Sequence, residues 1–206
     1  KIVVVGLGYV GATNAAVLAQ HCEVVGVDVS VQRVALLNAG KSPIWDQDLP
    51  DFLAAGDLNL SATTNLQEAL LGSDYVIIAT PTNYDEKLNF FDTRSVEDVA
   101  AECMEHAPEA CLVIKSTIPV GFVDGLRSKL QSQNIFFSPE FLREGSALYD
   151  SLNPSRIIVG DHSEKAKIFA ELLKSVAHSK HPTMLLTGTR EAESIKLFSN
   201  TYLAMR

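Results

Sequence analysis

The 206-residue chain lacks most features that would commit it to a membrane, a metal or a polyanion. No apolar run approaches the ~18 residues of a membrane-spanning helix, and the start, Lys1 leading straight into Ile2-Val3-Val4-Val5, has no signal-peptide pattern. The absence of an initiator methionine points to a trimmed or processed start. Cysteine is scarce: Cys22, Cys103 and Cys111 are odd in number and widely spaced, with no Cys-x-x-Cys or Cys/His cluster. Neither a disulfide framework nor a metal site is expected, and a reducing cytoplasm is the simplest compartment. The formal net charge is −8 with no block of like charges, which argues against broad binding to nucleic acid or anionic membrane and leaves any phosphate to a local pocket. There is no internal repeat and no low-complexity linker.

The 47% hydrophobic content is that of a globular protein with a sizeable core. Apolar runs of strand length recur at 2–5, 23–27, 75–79, 111–115, 134–137, 156–159 and 183–186, with a shorter candidate at Leu58-Asn59-Leu60-Ser61. Helical periodicity occupies 9–21, 30–39, 93–106, 120–131 and 163–177. That alternation predicts an α/β, Rossmann-like, doubly wound and mostly parallel sheet with helices on both faces. Two long polar loops, 80–92 and 138–155, are where function is expected to concentrate. From Glu191 the residues Ile195, Phe198, Tyr202 and Met205 recur at helical spacings without a stop signal, so the chain is expected to end inside a helix.

Gly6-Leu7-Gly8-Tyr9-Val10-Gly11 directly follows the first strand and opens a helix. In that setting Gly6 permits a tight turn, Gly8 lets a pyrophosphate approach the backbone and Gly11 lets helix and strand pack closely. The helix N-terminus then offers free N–H donors to phosphate. The second strand ends at Asp28, about twenty residues on, where an acid binds ribose hydroxyls and favours NAD over NADP. Arg33 reads equally well as an adenosine contact and as a solvated helix residue.

Two further strands end alike, in Ala79-Thr80-Pro81-Thr82-Asn83 and Lys115-Ser116-Thr117-Ile118-Pro119-Val120-Gly121. Their hydroxyls could be mere turn formers and caps, but the repetition places Thr82 and Thr117 near one dinucleotide. Past the strand at 135–137, Ser138-Pro139-Glu140-Phe141-Leu142-Arg143-Glu144-Gly145-Ser146 concentrates charge at a strand's carboxyl end. If 140–145 forms a helical turn, Glu140 and Glu144 share a face beside Arg143. Such carboxylates can orient or deprotonate a water, and the arginine can hold a phosphate or sugar oxygen. Lys196 and Asn200 stand one above the other on the last helix, able to stabilise an oxyanion or fix a hydroxyl.

Taken together, the glycine loop, Ala79–Asn83, Lys115–Gly121, Ser138–Glu144 and Lys196-Leu197-Phe198-Ser199-Asn200-Thr201-Tyr202-Leu203-Ala204 closely resemble the UDP-glucose 6-dehydrogenase family, in order over the whole chain. The resemblance implies oxidation of a sugar C6 alcohol to a carboxylate in two hydride transfers, with two NAD⁺ and one water and no release of aldehyde. It implies that Gly6, Gly8, Tyr9, Val10, Gly11, Asp28, Arg33, Thr82, Thr117 and Glu144 form the NAD site. Glu140 and Thr117 would then position water and share proton transfer. Lys196 and Asn200 would stabilise charge on the C6 oxygen, and Phe141, Leu142 and Arg143 would lie along the UDP-glucose.

The family's nucleophilic cysteine, in a glycine-rich segment of a later domain, has no counterpart here, and the three cysteines read as ordinary buried residues. The expected organisation is an NAD-binding domain over 1–188 and the start of a central connecting helix over 189–206. The UDP-binding domain is expected to lie outside these residues, and the parent is expected to be a homodimer through that helix. The chain alone is expected to be inactive. Two other readings stay open: a related enzyme acting on GDP-mannose or UDP-N-acetylmannosamine, and a dinucleotide-binding module without catalysis. Lys41, Asp46, Asp48 and Lys115 receive no role.

Overall fold

The apolar runs at 2–5, 76–78, 111–114 and 135–137 are buried on both of their faces, as a parallel sheet between two helical layers requires, whereas the run at 183–186 is half exposed. The computed structural model describes residues 1–85, 90–179 and 182–205. Six strands, β1 (Ile2–Val5), β2 (Val24–Val27), β3 (Leu60–Thr63), β4 (Tyr75–Ile78), β7 (Cys111–Ile114) and β8 (Ile135–Phe137), form one sheet in the order β3-β2-β1-β4-β7-β8. All its pairs are parallel, with Val3 opposite both Val25 and Val76. The strand order reverses at β1, so the carboxyl ends of β1 and β4 diverge into a crevice. An antiparallel ribbon of β5 (Asn83–Asp85) and β6 (Phe90–Asp92) rises from the loop after β4. The parallel pair β9 (Arg156–Val159) and β10 (Thr183–Leu186) meets the edge of the main sheet where Gly160 N donates to Phe137 O at 2.8 Å.

Successive strand residues feed opposite cores. Val4, Ile77, Val113 and Phe136 pack with α1 (Tyr9–Leu18), α7 (Ala147–Leu152) and Phe169 of α8 (Glu164–Ser175). Val3, Val76, Ile78, Leu112 and Ile114 pack with Val96 and Ala100 of α5 (Arg94–His106), Val123 and Leu126 of α6 (Phe122–Leu130), and Ala192 of α9 (Thr189–Ala204). The period-2 alternation of strand side chains thus produces the doubly wound arrangement. The helix α1 is buried along most of its length, and Gly11, Ala12, Ala15 and Ala16 keep it thin enough to lie between sheet and α7.

The expected strands and helices form with their ends trimmed, and the candidate strand at 58–61 lies instead at Leu60–Thr63. Outside α2 (Val31–Asn38), three short helices, α3 (Leu49–Ala54), α4 (Leu66–Leu70) and α7, occupy stretches without a helical pattern. Five or six residues span less than two turns, too few for a periodic signature. The helical turn over 140–145 that would put Glu140 and Glu144 on one face does not form, and residues 138–143 are irregular. Pro139 opens the segment, Arg143 N donates to Asp150 Oδ2 at 2.9 Å, and Gly145 adopts φ +83°. Tertiary partners take the groups that a helix would have paired.

Candidate functional site

The loop between β1 and α1 sits at the mouth of the crevice. Gly6 has φ +93°, and a Cβ at Gly11 would collide with the Gly6 carbonyl oxygen, so both glycines are required by the turn itself. A Cβ at Gly8 would meet nothing, so the loop there borders open space. The N-terminus of α1 carries no side-chain cap, which leaves its first N–H groups available to an anion. Asp28, at the end of β2, fixes this geometry: Oδ2 accepts from Leu7 N at 2.7 Å and Oδ1 from Ser30 N at 2.8 Å. Arg33 Nη1 lies 3.3 Å from the same Asp28 Oδ2.

Two cavities run along the carboxyl edge of the sheet and share Gly6, Asp28, Arg33, Thr80 and Pro81. The larger, about 750 Å³, is lined by Val27, Val29, Leu66 and Val99 and offers apolar walls. The other, about 360 Å³, is lined by Gly8, Tyr9, Val10, Thr82, Thr117, Glu140, Leu142, Glu144 and Lys196. An apolar groove, an uncapped helix terminus over a glycine turn, and a polar far end match in order the base, pyrophosphate and ring of a dinucleotide.

The polar end is stitched together across β4, β7 and β8. Thr82 Oγ1 donates to Thr117 O at 2.7 Å, and Ser116 Oγ to Thr80 O at 2.6 Å. Lys196 Nζ donates to Glu140 O at 2.5 Å and lies 5.2 Å from the Phe141 ring centroid. Burial pushes the Lys196 ammonium below its ordinary pKa; the Glu140 carboxylate opposes that shift and the Lys115 charge adds to it. Lys115 itself, which received no role from the sequence, is fully buried with Nζ 2.5 Å from Glu140 Oε1.

Of the residues expected at the substrate, Arg143 and Asn200 stand apart from this cluster, whereas Phe141 packs against its Lys196. Arg143 is exposed and doubly paired with Asp150, at 3.0 and 2.7 Å. The Phe141 ring is packed between cations, with the Arg156 guanidinium 4.6 Å from its centroid. Asn200 is exposed one turn beyond Lys196 on α9. The thiols of Cys103 and Cys111 are pushed up to about 12 by burial, so both are neutral, and none of the three cysteines lines either cavity.

Two buried carboxylates escaped sequence reasoning. Asp46 accepts from Asp48 N, Leu49 N, Ala147 N and Leu148 N, tying the loop before α3 to the start of α7. Nothing in its local sequence announces this. Glu193 is fully buried on α9, where Oε2 accepts from Gly121 N at 2.6 Å and Oε1 from Val123 N at 3.0 Å. It caps α6 from a distance, and its polar neighbours in the sequence, Arg190, Glu191 and Ser194, give no sign of that.

Strand order, glycine turn and terminal acid together define a dinucleotide-binding domain of the Rossmann class. Residues 1–178 match the NAD binding domain of the UDP-glucose/GDP-mannose dehydrogenase family, and the chain belongs to that family. It is similar to the UDP-glucose 6-dehydrogenase of Campylobacter jejuni, 47% identical over 208 residues, and to that of Streptococcus pneumoniae, 49% identical over 212. These matches take in all of this chain and 53% and 54% of the relatives, so the chain spans about half their length. Among solved structures, a ternary complex of Pseudomonas aeruginosa GDP-mannose dehydrogenase superposes with a TM-score of 0.86 at 28% identity, covering all of this chain and 50% of that one. A UDP-glucose dehydrogenase from Pyrobaculum islandicum gives 0.86 at 32% identity, covering 98% and 49%.

Proposed function

We propose that this chain is the NAD-binding part of a UDP-glucose 6-dehydrogenase, which converts UDP-glucose to UDP-glucuronate with two NAD⁺ and one water. The observation that carries the reading is the meeting of Glu140 with Lys196 at the polar end of the cleft, beside Thr117. A module that only binds a dinucleotide has no use for that convergence. The relatives named UDP-glucose 6-dehydrogenases support this sugar over GDP-mannose or UDP-N-acetylmannosamine.

Bound NAD⁺ supplies the hydride acceptor. Gly6, Gly8, Tyr9, Val10 and Gly11 form the turn that receives its phosphates, Asp28 and Arg33 face the ribose, and Thr82, Thr117 and Glu144 border the ring. Glu140 takes the proton from the C6 hydroxyl and later orients water, with Thr117 sharing that transfer. Lys196, with Asn200 one turn away, offsets negative charge on the C6 oxygen; partial burial strengthens that field. Phe141, Leu142 and Arg143 flank the sugar nucleotide. Residues 1–188 form the cofactor domain and 189–206 begin the helix toward a UDP-binding half, which supplies the nucleophilic cysteine. Exposed Phe198, Leu203 and Met205 on and just after α9 support a homodimer through that helix, and the three free cysteines a cytoplasmic setting.

The test is NADH formation by the protein of full relative length with UDP-glucose, GDP-mannose and UDP-N-acetylmannosamine. Two NADH per UDP-glucose is expected, with Lys196→Ala lowering kcat by about 10³-fold while NAD affinity holds. The 206-residue chain alone is expected to bind NAD without turnover. Preference for another sugar, or steady turnover by the chain alone, overturns the reading.

A further inference from the structure

Lys115 closes the β7 run Cys111–Ile114 and bonds through its backbone N to Ile78 O of β4 at 2.9 Å. A lysine at this place in an apolar strand would ordinarily bend out to water. Its side chain is instead fully buried, with Nζ 5.7 Å from the centroid of the Phe169 ring. Nζ meets three acceptors: Glu140 Oε1 at 2.5 Å, Ser138 O at 3.3 Å and Ser138 Oγ at 3.4 Å. Three donors facing three acceptors saturate an ammonium. The cavity behind the pair is about 30 Å³, so the ammonium has nowhere to withdraw.

Stability is a weak reason for such a pair. Two buried charges cost solvation that their attraction barely repays, and apolar replacements of similar volume often do as well. What the pair does supply is a single carboxylate orientation. Lys196 holds the backbone carbonyl of Glu140, and Lys115 holds the side chain by one oxygen. Among the described residues Oε2 has no protein partner, and Glu140 borders the cleft. We infer that Lys115 is a positioning residue for the dehydrogenase reaction: it fixes Glu140 through Oε1 and leaves Oε2 as the oxygen that handles the proton. The inference rests on the proposed function, and it adds a residue that acts through Glu140 without touching substrate.

The test compares Lys115→Met, Glu140→Gln and the double variant in the full-length protein. Lys115→Met is expected to lower kcat about 100-fold, as a misplaced catalytic group does, while KM for NAD and UDP-glucose stays within about 2-fold. In the double variant the loss should equal that of Glu140→Gln alone within about 3-fold, because Lys115 has nothing left to position. A loss confined to KM, a loss in kcat below about 3-fold, or multiplying losses in the double variant overturns the inference. Should Lys115→Met fail to fold, the double variant, which buries no unpaired carboxylate, is compared with Glu140→Gln alone and decides the question by the same rule. A crystal structure of Lys115→Met, or of the protein bearing Lys115→Gln if the first does not fold, should show the Glu140 carboxylate displaced, and an unmoved carboxylate overturns the inference. A wild-type protein that reduces no NAD with UDP-glucose breaks the proposed function instead, and the crystal structure still decides the role of Lys115.

Discussion

The two halves of the cleft are built on opposite principles. In β1–α1–β2 the parts that matter lie within about twenty-five residues and constrain each other directly: a positive-φ glycine, Gly6, a helix that starts three residues on at Tyr9, and an acid that bonds the Leu7 amide between the glycines. In 138–150 the only local tie among the described side chains is the Arg143–Asp150 pairing, and the rest of the segment is held from outside. The Glu140 carboxylate is held by Lys115 at the end of β7, the Glu140 carbonyl by Lys196 from α9, and the Ala147 and Leu148 amides by Asp46 from a loop a hundred residues earlier. A local motif tolerates change elsewhere in the fold, whereas a site assembled from afar depends on every element that reaches it. That division suits a domain whose cofactor half is generic and whose proposed chemical half is specific.

The largest expected effect breaks the local half. In Gly11→Val the new Cβ falls on the Gly6 carbonyl oxygen, so helix and turn must separate. NAD affinity should drop by about 100-fold or more, and stability by about 2–4 kcal/mol. NAD titration and urea unfolding of the chain measure both. Affinity within about 3-fold of wild type would show that the turn adapts, and would remove the contrast with the assembled half.

The second effect breaks the assembled half alone. Asp46 is buried and accepts four backbone N–H groups, two from each side of the junction. Asp46→Ala leaves those donors unpaired, with an expected cost of about 2–3 kcal/mol. Hydrogen exchange should quicken at Ala147 and Leu148, while amides of β1 and α1 keep their relative protection and NAD affinity changes little. Equal loosening of both halves would show that they are one cooperative unit.

The same division explains what the sequence disclosed. The strands, the long helices and the glycine turn were legible because each rests on periodicity or on a spacing of a few residues. Thr82 and Thr117 could be paired in advance because two neighbouring strands end alike, and they are hydrogen-bonded. A helical turn at 140–145, the condition for Glu140 and Glu144 to share a face, does not form because Asp150 takes the Arg143 amide and Lys196, 56 residues on, takes the Glu140 carbonyl. Lys115 is a charge at the end of an apolar run, a signal present in the sequence but ambiguous until the opposite partner is known, whereas Glu193, among Arg190, Glu191, Ser194 and Lys196, reads as one more polar helix residue. Asp46 carried no signal of its tie to Ala147 and Leu148, since those partners are backbone amides, and every residue but proline has one.

The smallest effect sharpens the comparison electrostatically. Burial lowers the Lys196 pKa in the folded chain, against Glu140 and with Lys115, whereas in the unfolded chain it returns toward about 10.4. Between those two values the unfolded state binds the more protons, so this residue's contribution to stability rises with pH across the window and is level below it. Lys196→Met removes the effect. Unfolding midpoints for the two proteins, followed from neutral to about pH 11, should therefore diverge in alkali, with the wild type gaining on the variant. The matching substitution of Arg33, the cation of the local half, should leave the pH profile parallel to wild type, because a guanidinium does not titrate in that range. Parallel curves for Lys196→Met as well would mean that the α9 ammonium is as well solvated in the folded chain as in the unfolded one, and that the chemical half of the cleft lacks the low-dielectric setting on which its proposed charge stabilisation depends.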